Sequence, residues 1–274
     1  MVLGQFLRKP QKSINNEGVT LVHNVHSENS PLEYVGFKVV DMEPGATYKE
    51  TLKEIECCIV SLSGKINVTD QKETFLNVGT RESVFEQKPT DSVYISNDQT
   101  FEIEAVTKAQ VALCFSPSTS PLPSRLIRAE ENGVEHRGKY SNQRLVHNIL
   151  PDSCPIANSL LVVEVYTESG NWSSFPPHKH DQDNLPNESF LEETYYHELD
   201  PKQGFVFQRV YTDDRTLDET MTVEHRDVVL VPKGYHPVGV PDGYTSYYLN
   251  VMAGPKRIWK FYNDPAHEWI LDRK

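Results

Sequence analysis

The chain has 274 residues, with 39 acidic and 27 basic side chains and a formal charge of −12. Nucleic acid and anionic membrane both call for a basic footprint, so this balance excludes them as expected partners, and an anionic small molecule would have to be attracted locally. Cys57, Cys58, Cys114 and Cys154 form neither a CxxC pair nor the framework of a small secreted domain, so reduced thiols are expected, with Cys57 and Cys58 filling a strand.

The N-terminal segment is interrupted by charge and proline too soon for a secretory leader, and no run of about 18 apolar residues occurs, so a cytoplasmic protein is expected. After a polar lead-in at 11–16, runs rich in Val, Ile, Tyr and Phe alternate with turn signals. Leu21-Val-His-Asn-Val, Tyr34-Val-Gly-Phe-Lys-Val-Val, Ile55-Glu-Cys-Cys-Ile-Val-Ser-Leu and Phe101-Glu-Ile-Glu-Ala-Val are such runs, and Glu43-Pro-Gly, Ser63-Gly and Lys88-Pro are such breaks. They predict many short strands closed by tight turns, a β-sandwich or small barrel. A Pro/Ser-rich stretch and a polar one then place a connection at 121–148, between a domain at 1–120 and another at 149–274. The second half repeats the texture in Leu160-Leu-Val-Val-Glu-Val-Tyr, Gly204-Phe-Val-Phe-Gln-Arg-Val-Tyr and Tyr244-Thr-Ser-Tyr-Tyr-Leu-Asn-Val-Met, which suggests an internal duplication. The first half has no His-x-His.

The strongest chemical signal is Gly170-Asn-Trp-Ser-Ser-Phe-Pro-Pro-His178-Lys-His180. Two histidines one residue apart project from the same face of an extended strand, and Pro176-Pro177 predicts an extended entry to it. A carboxylate from Glu192 or Glu193, and His236 after Pro232-Lys-Gly-Tyr, would complete a cage suited to a divalent metal such as zinc, manganese or iron. Period two places Glu193 with Tyr195 and His197, and Glu192 with Thr194 and Tyr196, and does not choose between the two carboxylates. His197 is expected to be hydrogen-bonded near the site or at the strand end, and His225 to face solvent. His23, His26, His136, His147 and His267 read as ordinary surface or core histidines.

The Gly…His-x-His…Glu…Pro-x-Gly-x-His pattern resembles the cupin metal motifs. More closely, His178-Lys-His-Asp, Glu192-Glu-Thr-Tyr-Tyr, Phe207-Gln-Arg-Val-Tyr, Val231-Pro-Lys-Gly-Tyr-His-Pro-Val and Gly79-Thr-Arg-Glu-Ser-Val-Phe are similar to the 5-deoxy-glucuronate isomerase family of myo-inositol catabolism. The similarity runs over essentially the whole chain, and the 4-deoxy-5-hexulose-uronate ketol-isomerases of pectin breakdown are the nearest rival. The resemblance implies an all-β bicupin, two cupin-type jelly-roll barrels in tandem, the first without metal ligands. It also implies metal ligands His178, His180, Glu193 and His236. The twelve residues 181–192 that separate His180 from Glu193 depart from the usual short spacing, and are expected to form either a lid or a plain surface excursion.

The implied reaction is a metal-assisted aldose–ketose isomerisation of a sugar acid, in which a base moves a proton between neighbouring carbons. Glu193 is the first candidate for that base, then Tyr195 or His197. Arg209 is the first candidate to bind the substrate carboxylate, followed by Lys233 and Arg81, with Tyr248 and Asn250 for sugar hydroxyls. An iron cupin oxygenase and a non-catalytic sugar-binding bicupin are the alternatives from other classes. Neither the metal's identity nor the oligomeric state, a homo-oligomer included, is set by these residues.

Overall fold

The computed structural model describes residues 5–11, 13–15 and 18–273. Met1–Gly4 of the N-terminal segment, and Lys12 and Asn16 of the polar lead-in, lie outside the described residues. The fold is all-β: among the described residues the only helical pieces are short 3₁₀ turns, and no helix is long and apolar enough to cross a membrane.

The alternation expected of half-buried strands is plainest in Asp218–Glu224. There Glu219, Met221 and Val223 point inward while Thr220 and Thr222 face out. The long strands Ile55–Ser63 and Thr245–Ala253 are instead buried on both faces, as their largely apolar and aromatic character requires, and Glu192–Asp200 is buried likewise up to Leu199 although it carries several acidic residues.

Two compact units divide the chain. One comprises Pro10–Val134 and His147–Val163, the other Met1–Lys9, Glu135–Val146 and Glu164–Lys274. Each is a cupin-type barrel built from seven- and four-stranded antiparallel sheets. In the first unit the large sheet runs Arg125–Ile127, Ser92–Ile95, Ile55–Ser63, Ala109–Pro117, Gly36–Met42, Val19–Val25, Ser13–Asn15. The other large sheet runs Leu7–Arg8, Val228–Val231, Glu192–Asp200, Thr245–Ala253, Leu161–Thr167, Arg144–Leu150, Gly133–Arg137.

The units interleave along the chain, where the sequence reading expected one uninterrupted segment for each, and side chains account for the exchange. Leu7 and Arg8 pair with Val229 and Val228, and Lys9 Nζ reaches Glu224 and the buried Asp227 at 2.7 and 2.8 Å. In the other unit the buried Glu56 carboxylate accepts the backbone N–H groups of Asn158, Ser159 and Leu160 at 2.6–2.8 Å, and also Tyr94 Oη and Ser116 Oγ. A buried carboxylate must be satisfied in this way, and here it ties residues 158–160 to the strands around residues 56, 94 and 116. The stretch at 121–148 is therefore not a bare connection: it contains the strands Arg125–Ile127 and Gly133–Arg137 and the start of Arg144–Leu150.

The interior of the first unit is apolar. Cys57, Ile59, Ile66, Val68, Val93, Ile95, Phe101, Ile103, Val111 and Leu113 form one buried cluster. None of the four cysteines forms a disulfide, and Cys57, Cys58 and Cys114 are fully buried, with burial raising their pKa values.

Candidate metal centre

In the second unit the strand Glu192–Asp200 is paired on both sides: Glu193 stands opposite Val231 on one neighbour and Met252 on the other. Strand alternation then sends Glu193, Tyr195 and His197 to one face and Tyr196 and Glu198 to the other, where Tyr196 Oη donates to Glu198. The first face meets His180 and His236. One ligand atom from each of His180, Glu193 and His236 lies within 4.8 Å of the others, and all three residues are buried.

Their remaining atoms are committed elsewhere. His180 Nδ1 lies 2.9 Å from the Leu191 carbonyl and His236 Nδ1 2.9 Å from the Gly234 carbonyl. With those nitrogens donating, each Nε2 turns a lone pair inward. Neither Nε2 makes a hydrogen bond: that of His180 contacts Glu193 Oε1 without hydrogen-bond geometry, and that of His236 is 3.7 Å from the same oxygen. Glu193 Oε2 accepts from Asn250 Nδ2 at 2.9 Å. Two orphaned imidazole nitrogens and one carboxylate oxygen facing each other in a buried pocket fit a divalent cation. Burial opposes ionisation of Glu193, yet His180 and His236 hold its carboxyl well below the ordinary range. Burial likewise opposes protonation of His180, which Glu193 nevertheless keeps raised, while burial keeps His236 lowered.

His178 stands at the margin. Its ring centroid is 5.1 Å from that of His236 and 4.6 Å from that of Phe261, but it is outside the converged trio. Burial pushes its pKa well below the usual imidazole value, although part of its surface opens to a cavity. The approach to it differs from expectation: residues 175–177 form a turn with a cis Phe175–Pro176 bond, and the strand is only His178–Lys179.

The segment after His180 is a hairpin, Asp181–Asn184 against Glu188–Phe190, and it is pinned. The buried Lys179 Nζ lies 2.7 Å from Asp181 and 3.0 Å from Glu188. Asp181 Oδ2 accepts the Gly234 N–H at 2.9 Å, two residues before His236. The exposed tip at 182–187 is held by Lys256 on Asp183 at 2.8 Å. The lysine between the two histidines thus pins the hairpin base, and Asp181 fastens that base to the turn that carries the third.

Tyr195 and His197 do line the interior. The Tyr195 ring is 5.8 Å from that of His236 and 4.8 Å from that of Tyr248, and its hydroxyl lies 3.3 Å from Ser174 Oγ. Burial keeps the Tyr195 phenol protonated. His197 Nε2 sits 3.1 Å from Gln208 Oε1, and burial lowers its pKa to about 4.

Several expected substrate groups are placed elsewhere. Arg209 lies on the outward face of Phe205–Tyr211, where Val206, Gln208 and Val210 take the inward positions, and its fork already holds Asp218 at 2.6 and 2.7 Å. Arg81, buried in the other unit, donates to the carbonyls of Leu62 and Lys88 and so closes a turn. Lys233 is exposed. Asn250 binds Glu193, and Tyr248 packs on Tyr195. His225 is half-buried rather than solvent-facing, because its Nδ1 accepts the Leu199 N–H.

A residue missed in the sequence is Arg144, which lines the same cavity as His178. It opens an apolar strand inside the stretch read as a connection, so no motif marked it.

Barrel fold and buried triad together define a bicupin with a three-residue set that could hold a metal ion. Residues 6–270 match the KduI/IolB family. The chain belongs to that family. A relative from Halalkalibacterium halodurans described as 5-deoxy-glucuronate isomerase is 72% identical over 270 residues, 98% of this chain and 100% of the relative. One from Bacillus subtilis strain 168 with the same description is 72% identical over 271 residues, 99% of this chain and 100% of the relative. The crystal structure of an IolB-like protein from Salmonella typhimurium LT2 superposes with a TM-score of 0.93 at 48% identity, covering 97% of this chain and 99% of that one. Lactobacillus farciminis oxalate decarboxylase shares the fold alone, with a TM-score of 0.69 at 12% identity over 98% of this chain and 90% of that one.

Proposed function

We propose that the protein is a metal-dependent isomerase that converts 5-deoxy-glucuronate to 5-dehydro-2-deoxy-gluconate in cytoplasmic myo-inositol catabolism. The observation that carries this reading is full-length identity of 72% to relatives described by that substrate, in a chain whose buried His180, Glu193 and His236 converge on one point. His178 is proposed as a fourth ligand, its ring adjoining that of His236. The site belongs to the C-terminal domain, and the N-terminal one contributes no ligand.

The reaction moves a proton from the hydroxyl-bearing carbon to the neighbouring aldehyde carbon, through an enediolate. A divalent ion held by these residues supplies Lewis-acid stabilisation for the negative charge that develops on oxygen. Glu193 serves this chemistry as a ligand, its Oε1 turned toward the Nε2 atoms of His180 and His236 and its Oε2 held by Asn250. Tyr195, kept as a neutral phenol, suits donation of a hydrogen bond or proton to a substrate oxygen. His197 is neutral at physiological pH and anchored by Gln208, which fits a positioning role or uptake of the transferred proton.

The test follows the aldehyde resonance of 5-deoxy-glucuronate by NMR with metal-loaded wild type, His180→Ala and Tyr195→Phe. Rapid loss of the signal is expected with wild type only. Tyr195→Phe is expected to retain metal while turnover drops by about 10²-fold or more. Unchanged turnover in His180→Ala would sink the metal assignment, and no turnover by wild type would sink the substrate.

A further inference from the structure

A cavity of about 480 Å³ opens beside the triad, with His178 on its wall. Its charged lining is one-sided: Lys139, Arg144 and Arg273 face it, and no Asp or Glu is among its described lining residues. In a chain with 39 acidic and 27 basic residues, three cations around a space without one carboxylate is a local reversal of sign.

Arg144 is the one of the three whose ionisation burial opposes. It and Arg273 are half-buried, whereas Lys139 is exposed, and Arg144 Nη1 donates to the Asn142 carbonyl at 2.9 Å. No carboxylate pairs with it among the described residues, in contrast to Arg209, whose fork is filled by Asp218. The turn before it is shaped to carry this group. Gly138 has φ +86°, and a Cβ there would lie 1.8 Å from the Asn142 carbonyl oxygen and 2.8 Å from Arg144 Nη1, so only glycine lets that carbonyl reach the guanidinium. The remaining N–H groups of a planar fork match a carboxylate in two-point contact. Burial lowers the Arg144 pKa, the mark of a cation short of solvation, which an incoming anion would restore.

We propose that Arg144 binds the carboxylate of an open-chain sugar acid in this cavity, with Lys139 and Arg273 adding attraction. The aldehyde end would then lie toward His178, His180, Glu193 and His236. This deepens the isomerase reading and rests on it for the direction in which the substrate lies.

The test uses full-length, metal-loaded protein, with Arg144→Gln and Arg144→Lys beside wild type. Equilibrium binding of D-glucuronate and of D-glucose, its neutral counterpart, is measured by calorimetry. Wild type is expected to prefer the acid by roughly tenfold or more, and Arg144→Gln to lose that preference, on the scale of a charge-assisted hydrogen bond. In kinetics with 5-deoxy-glucuronate, KM should rise roughly 10- to 100-fold in Arg144→Gln, with a smaller change in kcat. Arg144→Lys should recover part of the preference without the two-point contact. Matched metal content and melting temperature guard against misfolding, and the Lys variant decides if the Gln variant does not fold. No preference for the acid in wild type, or the same preference in the variants, overturns the assignment. Failure of wild type to turn over 5-deoxy-glucuronate would instead remove the functional reading, and the acid-over-alcohol preference would still judge Arg144.

Discussion

The two barrels place opposite chemistry on equivalent strands. Ile55–Ser63 and Glu192–Asp200 are each third in a seven-stranded sheet, between a four-residue strand and a nine-residue one. Cys57 pairs with Ile95 and Glu193 with Val231, in each case the last residue of the short neighbour. Cys57, Ile59 and Ser61 therefore stand where Glu193, Tyr195 and His197 stand. The first set belongs to, or adjoins, an apolar core, and Ser61 is spent on the Gly64 carbonyl at 2.9 Å. The second meets His180, His236, Asn250 and Gln208. The barrel frame tolerates either filling, so it does not by itself confer function.

The largest effect should come from forcing one filling on the other frame. Cys57→Glu puts a carboxylate among Ile59, Ile95 and Leu113 with no histidine to meet it, and should cost about 3–5 kcal/mol of stability in urea unfolding. Wild-type stability, or metal uptake at that position, would contradict the difference in filling between the two frames.

A smaller effect concerns pH. Burial lowers the His197 pKa from 6.5 to about 4, so between these values the unfolded chain binds a proton that the folded chain refuses. The stability associated with neutral, buried His197 is thus complete above pH ~6.5 and is lost as the pH falls toward 4, by up to about 3 kcal/mol. In metal-free protein, His197→Gln should flatten the unfolding free energy across that window, and an unchanged slope would contradict the burial argument. Ser61, in the matching position, adds no such dependence.

The smallest effect is expected at the support of the proposed metal ligands. Asn250→Ala removes the hydrogen bond to Glu193 Oε2 and should weaken metal affinity by about 10- to 100-fold without changing stoichiometry, as read by competition with a chromogenic chelator. Equal affinity would show that Glu193 needs no such support.

The all-β class and the common face of Glu193, Tyr195 and His197 were legible because strand periodicity is local: the three alternate in the sequence as they do in the barrel. Cys57 and Cys58 read correctly for the same reason. What was not legible depends on long-range partners. Arg209 looked like a free guanidinium until Asp218, paired across the hairpin, filled its fork. Arg81 looked available until the Leu62 and Lys88 carbonyls took it. The exchange of residues 1–9 and 147–163 between the units rests on Lys9 and Glu56, whose partners lie far away in sequence. Arg144 was hidden because its importance lies in a cavity, which no run of residues announces.

On the proposed function, one ion held in the second barrel alone supports turnover. The direct measurement is titration of chelator-stripped protein with Mn²⁺, Zn²⁺ or Fe²⁺ while bound metal and isomerisation of 5-deoxy-glucuronate are followed together, for wild type and His236→Ala. Activity should rise linearly to a plateau at one ion per chain in wild type and stay at background in His236→Ala. Full turnover by the stripped protein, or a plateau at two ions per chain, would contradict it.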